Sequence, residues 1–487
     1  MKKEQMREKN KTTKGITLIA LVVTIIILVI LATVSVNLVL NEGGLIKRTE
    51  IAKEIYENNA KKELEDMKNL EDEIKKHTEI ANMPDISGFN TENTYFVTWT
   101  WDENTNTYKI NDTTSIKENE VNDWYDYSSS TKHWANIKTT GGDNICYWVW
   151  IPRYAYKVPT KGSKAETIEV KFLKDKTNYT IENNEEITNT EPKEGKWVVH
   201  PAFTNSGNGG LGELSGIWVA KYEASSNSQL VVENPTEDQL NIDGGAENNL
   251  SLKIRIRPNV VSWRNISLGN IITVCKNLTS ESNSLENTKN IDSHLMKNTE
   301  WGAVAYLSRS IYGKNSQVYN NPYYSDSSIC ATITGLCGND PDYATTTYND
   351  ENVYKYNTEK GKNASTTGNV YGIYDMAGGS WEYVAAVLDG ATSNNDYDFS
   401  NIDKKYYESY EKYGIEKYGD AVYETSEDSK GKTSWDLDYS LFVYKSNPVF
   451  VRGGRSYIED SAGIFAFSIQ NGSKNMAESF RPCLTCK

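Results

Sequence analysis

The sequence predicts an α+β protein in which an N-terminal apolar helix and a helical stalk precede a large head of mixed α/β structure. Three features support this class: a charge-free apolar run, an amphipathic stretch after it, and short aromatic and β-branched runs separated by turn residues. The 487 residues are 38% hydrophobic and 24% charged, which is typical of a globular protein rather than a disordered one.

The net charge and the histidine content argue against two classes of function. The formal charge is −14, whereas a nucleic-acid-binding protein needs a basic face that neutralises phosphates. The four histidines, His77, His133, His200 and His294, are scattered without the spacing of zinc ligands. We therefore expect no nucleic-acid partner, and neither a zinc enzyme nor a hydrolase with a catalytic histidine triad.

A basic leader and an uncharged apolar run predict a membrane anchor. Residues 1–14 carry six Lys or Arg and two Glu, and Gly15 follows them. From Ile16 to Leu40, 25 residues contain no charge. As a helix at about 1.5 Å per residue they span roughly 37 Å, enough to cross a bilayer. Because the positive flank precedes the run, we expect a single-pass protein of the cell membrane with its head outside the cell.

The leader (1–15) and the apolar helix (16–40) resemble the class III signal of type IV prepilins and pseudopilins. A secretory signal peptide is the alternative, but its apolar core is shorter and its cleavage site follows that core. The resemblance implies that a prepilin peptidase cuts between Gly15 and Ile16 and methylates the new N-terminal amine. That family usually has Glu at the fifth mature position, where this chain has Ala20. Assembly with other pilins or pseudopilins and a plain membrane anchor both stay open.

A helical stalk is predicted from residue 41 to residue 84. The sequence Asn-Glu-Gly-Gly at 41–44 breaks the apolar helix. Pro84 ends the stalk, because proline disfavours the α conformation in the residue before it. The apolar residues that recur at three- and four-residue spacing between these points are Ile51, Ile55, Leu64, Met67, Leu70 and Ile74.

Strands and turns are predicted throughout the head, residues 85–487. Residues 95–99 and 146–151 are clear strand candidates, because aromatic and β-branched side chains follow one another there. The apolar spacing of residues 293–310 predicts a helix instead.

Two polar stretches of the head, residues 159–196 and 391–447, are predicted to be surface insertions. The first is charged and rich in Thr, Asn and Lys. In the second, Tyr406, Tyr410 and Tyr413 fall at helical spacing among Lys and Glu. This pattern predicts a short exposed helix.

Three blocks in the C-terminal part of the chain occur in the order typical of one family. They are NVYGIYDMAGGSWEY at 369–383, VRGGR at 451–455 and SFRP at 479–482. Together they resemble the formylglycine-generating-enzyme-like (sulfatase-modifying-factor) branch of the C-type lectin fold, over about residues 146–487. The resemblance implies a C-type-lectin-like head, and any one block alone would be weak support.

Five residues of these blocks are predicted to have structural roles. Trp381 alternates with polar neighbours and is expected to bury its ring. Gly453 and Gly454 have no side-chain bulk, so another backbone or a ring can approach closely. Arg452 and Arg481 are expected to bridge loop carbonyls or carboxylates, because one guanidinium carries several donors.

The family's enzymatic chemistry is not expected in this chain. Oxidase members use a cysteine pair between the last two blocks, and residues 456–478 contain no Cys. Without thiolates there is neither a copper site nor thiol oxidation there, and iron-dependent relatives need a histidine cluster. We predict a non-enzymatic protein, with an oxidase or modifying factor built from distant residues as the alternative.

The resemblance also implies a structural calcium ion at the Trp-Glu block. Its ligands would be the side chains of Asp375 and Glu382 and the carbonyls of Gly378 and Ser380, all hard oxygen donors. The alternative is that Glu382 accepts hydrogen bonds from loop amides.

The six cysteines permit disulfides in an extracellular domain. Cys330 and Cys337 flank a short loop and are the candidate pair. Free thiols are the alternative, at these positions as at Cys483 and Cys486, whose spacing alone resembles a redox motif.

The leading hypothesis is a surface-exposed binding protein, either an adhesin or a minor pilin at a filament tip. Its partner would be an unknown protein or glycan. In variable proteins of the C-type lectin fold, the segment before the closing Phe-Arg faces the ligand. The resemblance to that fold implies residues 455–478 here, with Tyr457, Ile458, Gln470 and Asn471 as candidates. A structural subunit of a pilus or pseudopilus is the alternative.

Overall fold

The computed structural model describes most of the chain, and its helices and strands lie in two compact units, Met1–Ile74 and Lys75–Lys487. The described residues are 18–40, 49, 51–67, 84–118, 124–162, 164–228, 248–322, 332–343, 351–455 and 462–486. The helices are α1 (Leu18–Leu40), α2 (51–67), α3 (Leu268–Lys276) and α4 (Asn298–Ser308). Short 3₁₀ helices occupy Pro201–Phe203, Asn277–Thr279, Gly361–Ala364, Phe399–Asn401, Lys404–Tyr406 and Trp435–Leu437.

Helix α1 is the predicted apolar helix. Its stretch Leu18–Val36 has a mean hydropathy of 3.1, so by length and composition it is able to cross a membrane. The hydroxyls of Thr24 and Thr33 donate to carbonyls four residues earlier, at 2.7 and 2.6 Å. These bonds give both threonine hydroxyls a hydrogen-bond partner within the helix itself. Gly15 and Ile16, the predicted processing site, lie outside the described residues.

Helix α2 is the described part of the predicted stalk. Four apolar side chains of the predicted stripe, Ile51, Ile55, Leu64 and Met67, are between 47% and 65% exposed. The helical prediction is therefore confirmed for residues 51–67, and this stripe remains accessible on the chain. Residues 68–83 lie outside the described residues.

The first large sheet of the head has seven strands, all antiparallel to their neighbours, in the order β11-β21-β8-β4-β3-β1-β2. Its strands are β1 (Thr94–Asp102), β2 (Thr107–Asn111), β3 (Asn136–Gly141), β4 (Asn144–Pro152), β8 (Gly216–Ala220), β11 (Ile291–Leu295) and β21 (Pro482–Cys486). Strands β1 and β4 contain the two runs that the sequence predicted as strands, so both predictions are confirmed.

The second large sheet is mixed. Its order is β15-β14-β18-β19-β17-β16, with β20 pairing to β14. Its strands are β14 (Trp381–Leu388), β15 (Glu408–Tyr410), β16 (Lys430–Gly431), β17 (Ser440–Leu441), β18 (Val449–Arg452), β19 (Phe467–Gln470) and β20 (Glu478–Phe480). The smaller sheets are β6-β5-β7, β9-β10 and β12-β13, built from β5 (Tyr154–Lys157), β6 (Val170–Phe172), β7 (Trp197–Val199), β9 (Ser225–Ser226), β10 (Ile254–Arg255), β12 (Leu336–Cys337) and β13 (Tyr354–Lys355).

The core of the head is rich in tryptophan. Trp148 and Trp150 of β4 are buried, and the ring centroid of Trp150 lies 5.2 Å from that of Trp218 on β8. Every residue of α4 is buried, as expected for a helix enclosed by its own domain. Trp301 on this helix donates from Nε1 to the carbonyl of Ile464 at 2.7 Å, which connects α4 to the loop before β19.

One sequence prediction about helices is confirmed in part, and another is wrong. The helix predicted over residues 293–310 is α4, which covers only Asn298–Ser308, because β11 occupies Ile291–Leu295. No α-helix forms around Tyr410; that residue belongs to β15, which pairs with β14, and its side chain is 6% exposed. In both places a strand forms where a helix was predicted. Each strand pairs with another part of the chain, and the local spacing of apolar residues does not reveal such pairing.

Candidate ligand-binding site

A buried arginine holds the family-like blocks together. Arg481 is 1% exposed, and its Nη2 and Nε donate to the two carboxylate oxygens of Glu382 at 2.7 and 3.0 Å. The same guanidinium donates to the carbonyls of Ala220, at 2.6 Å, and Tyr374, at 3.0 Å. It therefore connects β14 and β8 to the chain between β20 and β21.

Asp375 lies beside this pair and is also saturated with donors. Its Oδ1 accepts from Asn321 Nδ2 and from the backbone N–H of Gly335, both at 2.8 Å. Its Oδ2 accepts from the backbone N–H of Glu223 at 3.3 Å. Burial raises the pKa of Asp375 to about 6, although Arg481 and these donors act in the opposite direction.

The two carboxylates of the predicted calcium site are engaged by donors of the protein itself. Calcium takes six to eight oxygen ligands, yet both oxygens of Glu382 already face a guanidinium. Glu382 therefore accepts from Arg481, rather than from the loop amides that the sequence alternative proposed. The calcium ion stays a prediction.

The predicted structural residues lie around the same centre. Trp381 is 6% exposed, and its ring meets that of Tyr439 edge-on, with centroids 6.5 Å apart. Gly378, Gly453 and Gly454 have φ angles of +71°, +83° and +74°. A Cβ on Gly378 would lie 2.6 Å from a backbone oxygen, so this position combines an unfavourable backbone conformation with a close approach.

We expect Gly378→Ala to destabilise the head more than Gly390→Ala. Both glycines have positive φ, +71° and +74°, but a Cβ on Gly390 would meet nothing within 4 Å. The left-handed conformation costs a residue with a side chain about 1–2 kcal/mol, and only Gly378→Ala adds a backbone clash. Urea unfolding of the two full-length variants measures the difference, and equal midpoints would contradict the role given to the close approach.

Arg452 connects the 391–447 segment to the core. Its guanidinium donates to the carbonyls of Ala466, Asp420 and Ala421 at 3.0, 2.9 and 3.1 Å, and to Oδ1 of Asn298 at 3.2 Å. Burial lowers the pKa of Arg452 to about 10. Two of its four acceptors belong to the segment that the sequence predicted as a surface insertion.

The predicted ligand residues are only partly described. Tyr457 and Ile458 lie outside the described residues. Gln470 is half-buried and donates from Nε2 to Oε1 of Glu478 at 2.6 Å. Asn471 is exposed, and its Oδ1 accepts from the Ser473 backbone and hydroxyl at 3.0 and 2.6 Å. Both described side chains are therefore engaged in local hydrogen bonds.

The described cysteines are free, buried thiols. Cys330 lies outside the described residues, so its predicted pairing with Cys337 stays a prediction. The Cys337 thiol donates to the carbonyl of Gly338 at 3.2 Å. Burial raises the pKa of both Cys337 and Cys146 to about 12, which disfavours the reactive thiolate.

His294, Glu300 and Cys483 place their potential ligand atoms within 4.8 Å of one another. The two ring nitrogens of His294 face carboxylates, with Nε2 2.8 Å from Glu300 and Nδ1 3.2 Å from Asp292. Burial lowers the pKa of His294, but these carboxylates outweigh it and raise the pKa to about 9. Both ring nitrogens of His294 are therefore engaged in a buried ion-pair network.

Three adjoining cavities lie along the two polar segments. One of about 680 Å³ takes its walls from both 159–196 and 391–447. A second of about 520 Å³ shares Asn189 and Pro192 with it, and a third of about 190 Å³ shares Glu416 and Tyr423. The largest of the three falls within the usual volume of ligand sites, about 300–1,000 Å³.

Tyrosine rings and a lysine line the junction of two of these cavities. The Nζ of Lys161 lies 4.3 Å from the ring centroid of Tyr423 and 5.4 Å from that of Tyr413. Tyr418 meets Tyr423 edge-on at 5.6 Å, and its hydroxyl donates to Glu416 at 3.2 Å. Burial and the Glu416 carboxylate raise the pKa of Tyr418 to about 12, so its hydroxyl stays protonated.

The buried carboxyl group of Glu424, a residue of the cavity wall, is the centre of a hydrogen-bond network. The Oε1 of Glu424 accepts from the hydroxyl of Tyr156 at 2.6 Å. Its Oε2 accepts from the hydroxyl of Tyr306 at 2.5 Å and from the Gly419 backbone at 2.7 Å. Burial and the neighbouring Asp420 raise the pKa of Glu424 to about 8, although these donors oppose the shift. The network fixes the backbone from which the tyrosines project.

Sequence reasoning missed these cavity residues. It treated both segments as appended polar surface, whereas Glu408, Asp420 and Glu424 are at most 9% exposed. The signal that pointed to them was the density of tyrosine among Lys and Glu between 406 and 423, because tyrosine is common at binding surfaces.

Comparison with known proteins adds no assignment. No family model matches the chain, and no curated protein is similar to it. Among solved structures, Treponema denticola variable protein 1 is similar at 12% sequence identity, over 72% of this chain and 98% of that chain. The TM-score is 0.28, which is too low to carry an argument about fold or function.

Proposed function

We propose that this chain is a membrane-anchored, surface-exposed and non-catalytic binding protein that captures its ligand in the cavity between the 159–196 and 391–447 segments. The observation that carries the proposal is the 680 Å³ volume, to which both segments contribute charged side chains and the 391–447 segment contributes Tyr418 and Tyr423. Concave sites with aromatic walls and a few polar groups are the usual form of ligand sites in proteins.

The anchor is supported by helix α1 and the charge around it. The helix is apolar enough to cross a bilayer, and the basic residues of the leader precede it. This arrangement favours a cytoplasmic leader and an outward-facing head.

A binding role rather than catalysis is supported by the burial and the partners of the reactive side chains that the structure describes. His294, whose pKa is raised to about 9, is 1% exposed and bound to two carboxylates. The thiols of Cys146 and Cys337 are buried and weakly acidic. Tyr413, Tyr418 and Tyr423 of the cavities, by contrast, are partly exposed.

We expect the cavity variant Tyr418→Ala/Tyr423→Ala to lose binding by at least about tenfold, because stacked aromatic residues dominate such interfaces. Full-length protein in nanodiscs is applied to printed arrays of glycans and of peptides, and retention is measured by fluorescence. The matched control is Tyr444→Ala, a tyrosine that is 47% exposed and lines none of the three cavities. Retention of no probe, or equal retention by both variants, would overturn the proposal.

A structural pilus or pseudopilus subunit is a second candidate. The observation that favours it is the accessible apolar stripe of Ile51, Ile55, Leu64 and Met67 on α2, which is suited to packing against a neighbouring helix. Purification from native membranes tests this candidate: co-purification with a filament supports it, and release as a monomer in detergent counts against it.

A further inference from the structure

The cavity already contains an ammonium group that belongs to the protein itself. Lys161 comes from the 159–196 segment, whereas Tyr413 and Tyr423, whose rings it approaches, come from the 391–447 segment. The loop that carries the lysine is attached to the opposite wall by one backbone bond, from Gly162 N–H to the carbonyl of Glu424 at 3.3 Å. We call the space between the two rings the ammonium seat.

The seat is electrostatically suited to a cation. The negative faces of two tyrosine rings attract an ammonium group within about 6 Å of their centroids. The carboxylates of Glu194 and Glu416 are close enough to Tyr423 to raise the pKa of its hydroxyl, behind the larger effect of burial. A cation in the seat therefore interacts with two π faces and lies in the field of two carboxylates.

Lys161 is held in the seat by the rings alone. Among the described residues, no carboxylate lies within 4.0 Å of its Nζ, and no hydrogen bond to that atom is formed. The neighbouring Lys417 is different: its Nζ lies 3.7 Å from the ring centroid of Tyr410 and also 3.1 Å from the carboxylate of Glu408. Lys417 is thus bound by an ion pair with a buried carboxylate, while Lys161 can leave at the cost of its ring contacts only.

We propose that the seat between Tyr413 and Tyr423 binds the ammonium group of a ligand, and that Lys161 occupies it until the ligand displaces the lysine side chain. This inference rests on the proposed function, since it names the chemistry of the ligand captured in the same cavity. The ligand class is an amine that stays charged at neutral pH, either a primary ammonium such as a lysine side chain or a quaternary ammonium such as choline.

A charged ligand is favoured over a neutral one because binding displaces the positively charged ammonium group of Lys161. A neutral sugar ring that displaced Lys161 would remove the cation beside Glu194 and Glu416 and put nothing in its place. An ammonium ligand restores the same charge at the same position, so the exchange conserves the electrostatics of the wall.

The test uses Lys161→Met, which keeps the apolar stem and removes the ammonium group. Full-length protein in nanodiscs is titrated by calorimetry with choline, with Nα-acetyl-lysine amide and with 3,3-dimethylbutanol, the neutral isostere of choline. We expect Lys161→Met to bind at least one of the two ammonium probes about tenfold more tightly than the isostere and about tenfold more tightly than the unmodified protein does. Comparing choline with the lysine amide identifies which source the seat prefers.

Two further variants keep the test decisive. Adding Tyr423→Leu to Lys161→Met is expected to abolish the gain, because it removes the nearer ring. Lys360→Met is the matched control: Lys360 lies 4.5 Å above a single ring, that of Tyr354, outside the three cavities, so its removal is expected to create no ammonium site. Lys161→Gln replaces Lys161→Met if the latter fails to give the near-ultraviolet circular dichroism of the folded head.

Equal binding of both ammonium probes and the neutral isostere, or no ammonium binding by a folded Lys161 variant, would overturn the inference and leave Lys161 a structural link. If array retention still depended on Tyr418 and Tyr423 in that case, the proposed function would stand with a ligand of another class. Loss of both signals would overturn the two proposals together.

Discussion

Arg481→Met is expected to destabilise the head by about 3–5 kcal/mol, because it leaves the buried Glu382 carboxylate without a partner. The two side chains are each 1% exposed, and the guanidinium contacts both carboxylate oxygens. The lost bonds to two backbone carbonyls add to the cost. Urea unfolding of the full-length protein, followed by near-ultraviolet circular dichroism, measures the change in the free energy of unfolding.

The double variant Arg481→Met/Glu382→Leu separates the pair from simple loss of packing. Removing both charges is expected to recover part of the stability, since an apolar pair of similar volume replaces an uncompensated charge. Arg309→Met is the matched control, because its partner Asp436 is partly exposed and the pair is 3.2 Å apart; we expect a loss of about 1 kcal/mol or less. Equal destabilisation of single and double variants would show that the ion pair itself contributes little.

Arg452→Lys is expected to loosen the 391–447 segment while the charge is conserved. The guanidinium reaches four acceptors at once, and a lysine ammonium cannot span them. Leaving several buried carbonyls without donors costs about 1–3 kcal/mol for each group that stays unpaired. Hydrogen exchange is the measurement: we expect faster exchange in residues 409–427 and weaker retention in the array assay.

Arg309→Lys again provides the matched control for this second change. It is the same substitution at an arginine that contacts one carboxylate rather than four separate acceptors. Unchanged exchange in residues 409–427 of Arg452→Lys would contradict the bridging role, and exchange raised equally across the whole head would indicate general unfolding instead.

The strands of the first sheet were predictable, while much of the second sheet was not. Residues 95–99 and 146–151 carry aromatic and β-branched side chains in sequence, so local composition identifies β1 and β4. Strands β16 and β17 are two residues long; they pair with each other, and β17 joins the sheet through a single residue pair with β19, Ser440 with Phe467. Local pattern carries no information on such pairings.

The candidate site could not be predicted from the sequence, because several of its polar residues are buried. Glu424 and its neighbours appear in the sequence as a solvated acidic stretch, because acidic residues are rarely buried without partners. The partners exist, but Tyr156 lies 268 residues away and Tyr306 lies 118 residues away in the sequence. The bridging interpretation of Arg452 and Arg481 needed only the donor count of a guanidinium, whereas the identity of their acceptors required the tertiary structure.

The position of β21 in the first sheet has a consequence for the kinetics of folding. This strand lies between β8 and β11, and Arg481, directly before it, contacts Ala220 across 261 residues of sequence. Such non-local pairing slows folding, because the chain loses the entropy of closing a long loop before the new contacts stabilise it. At a synthesis rate of about 5–20 residues per second, β21 is synthesised tens of seconds after β8. The first sheet is incomplete during this interval. During that interval the nascent head is a substrate for chaperones and proteases, and the yield of folded protein depends on them as much as on its final stability.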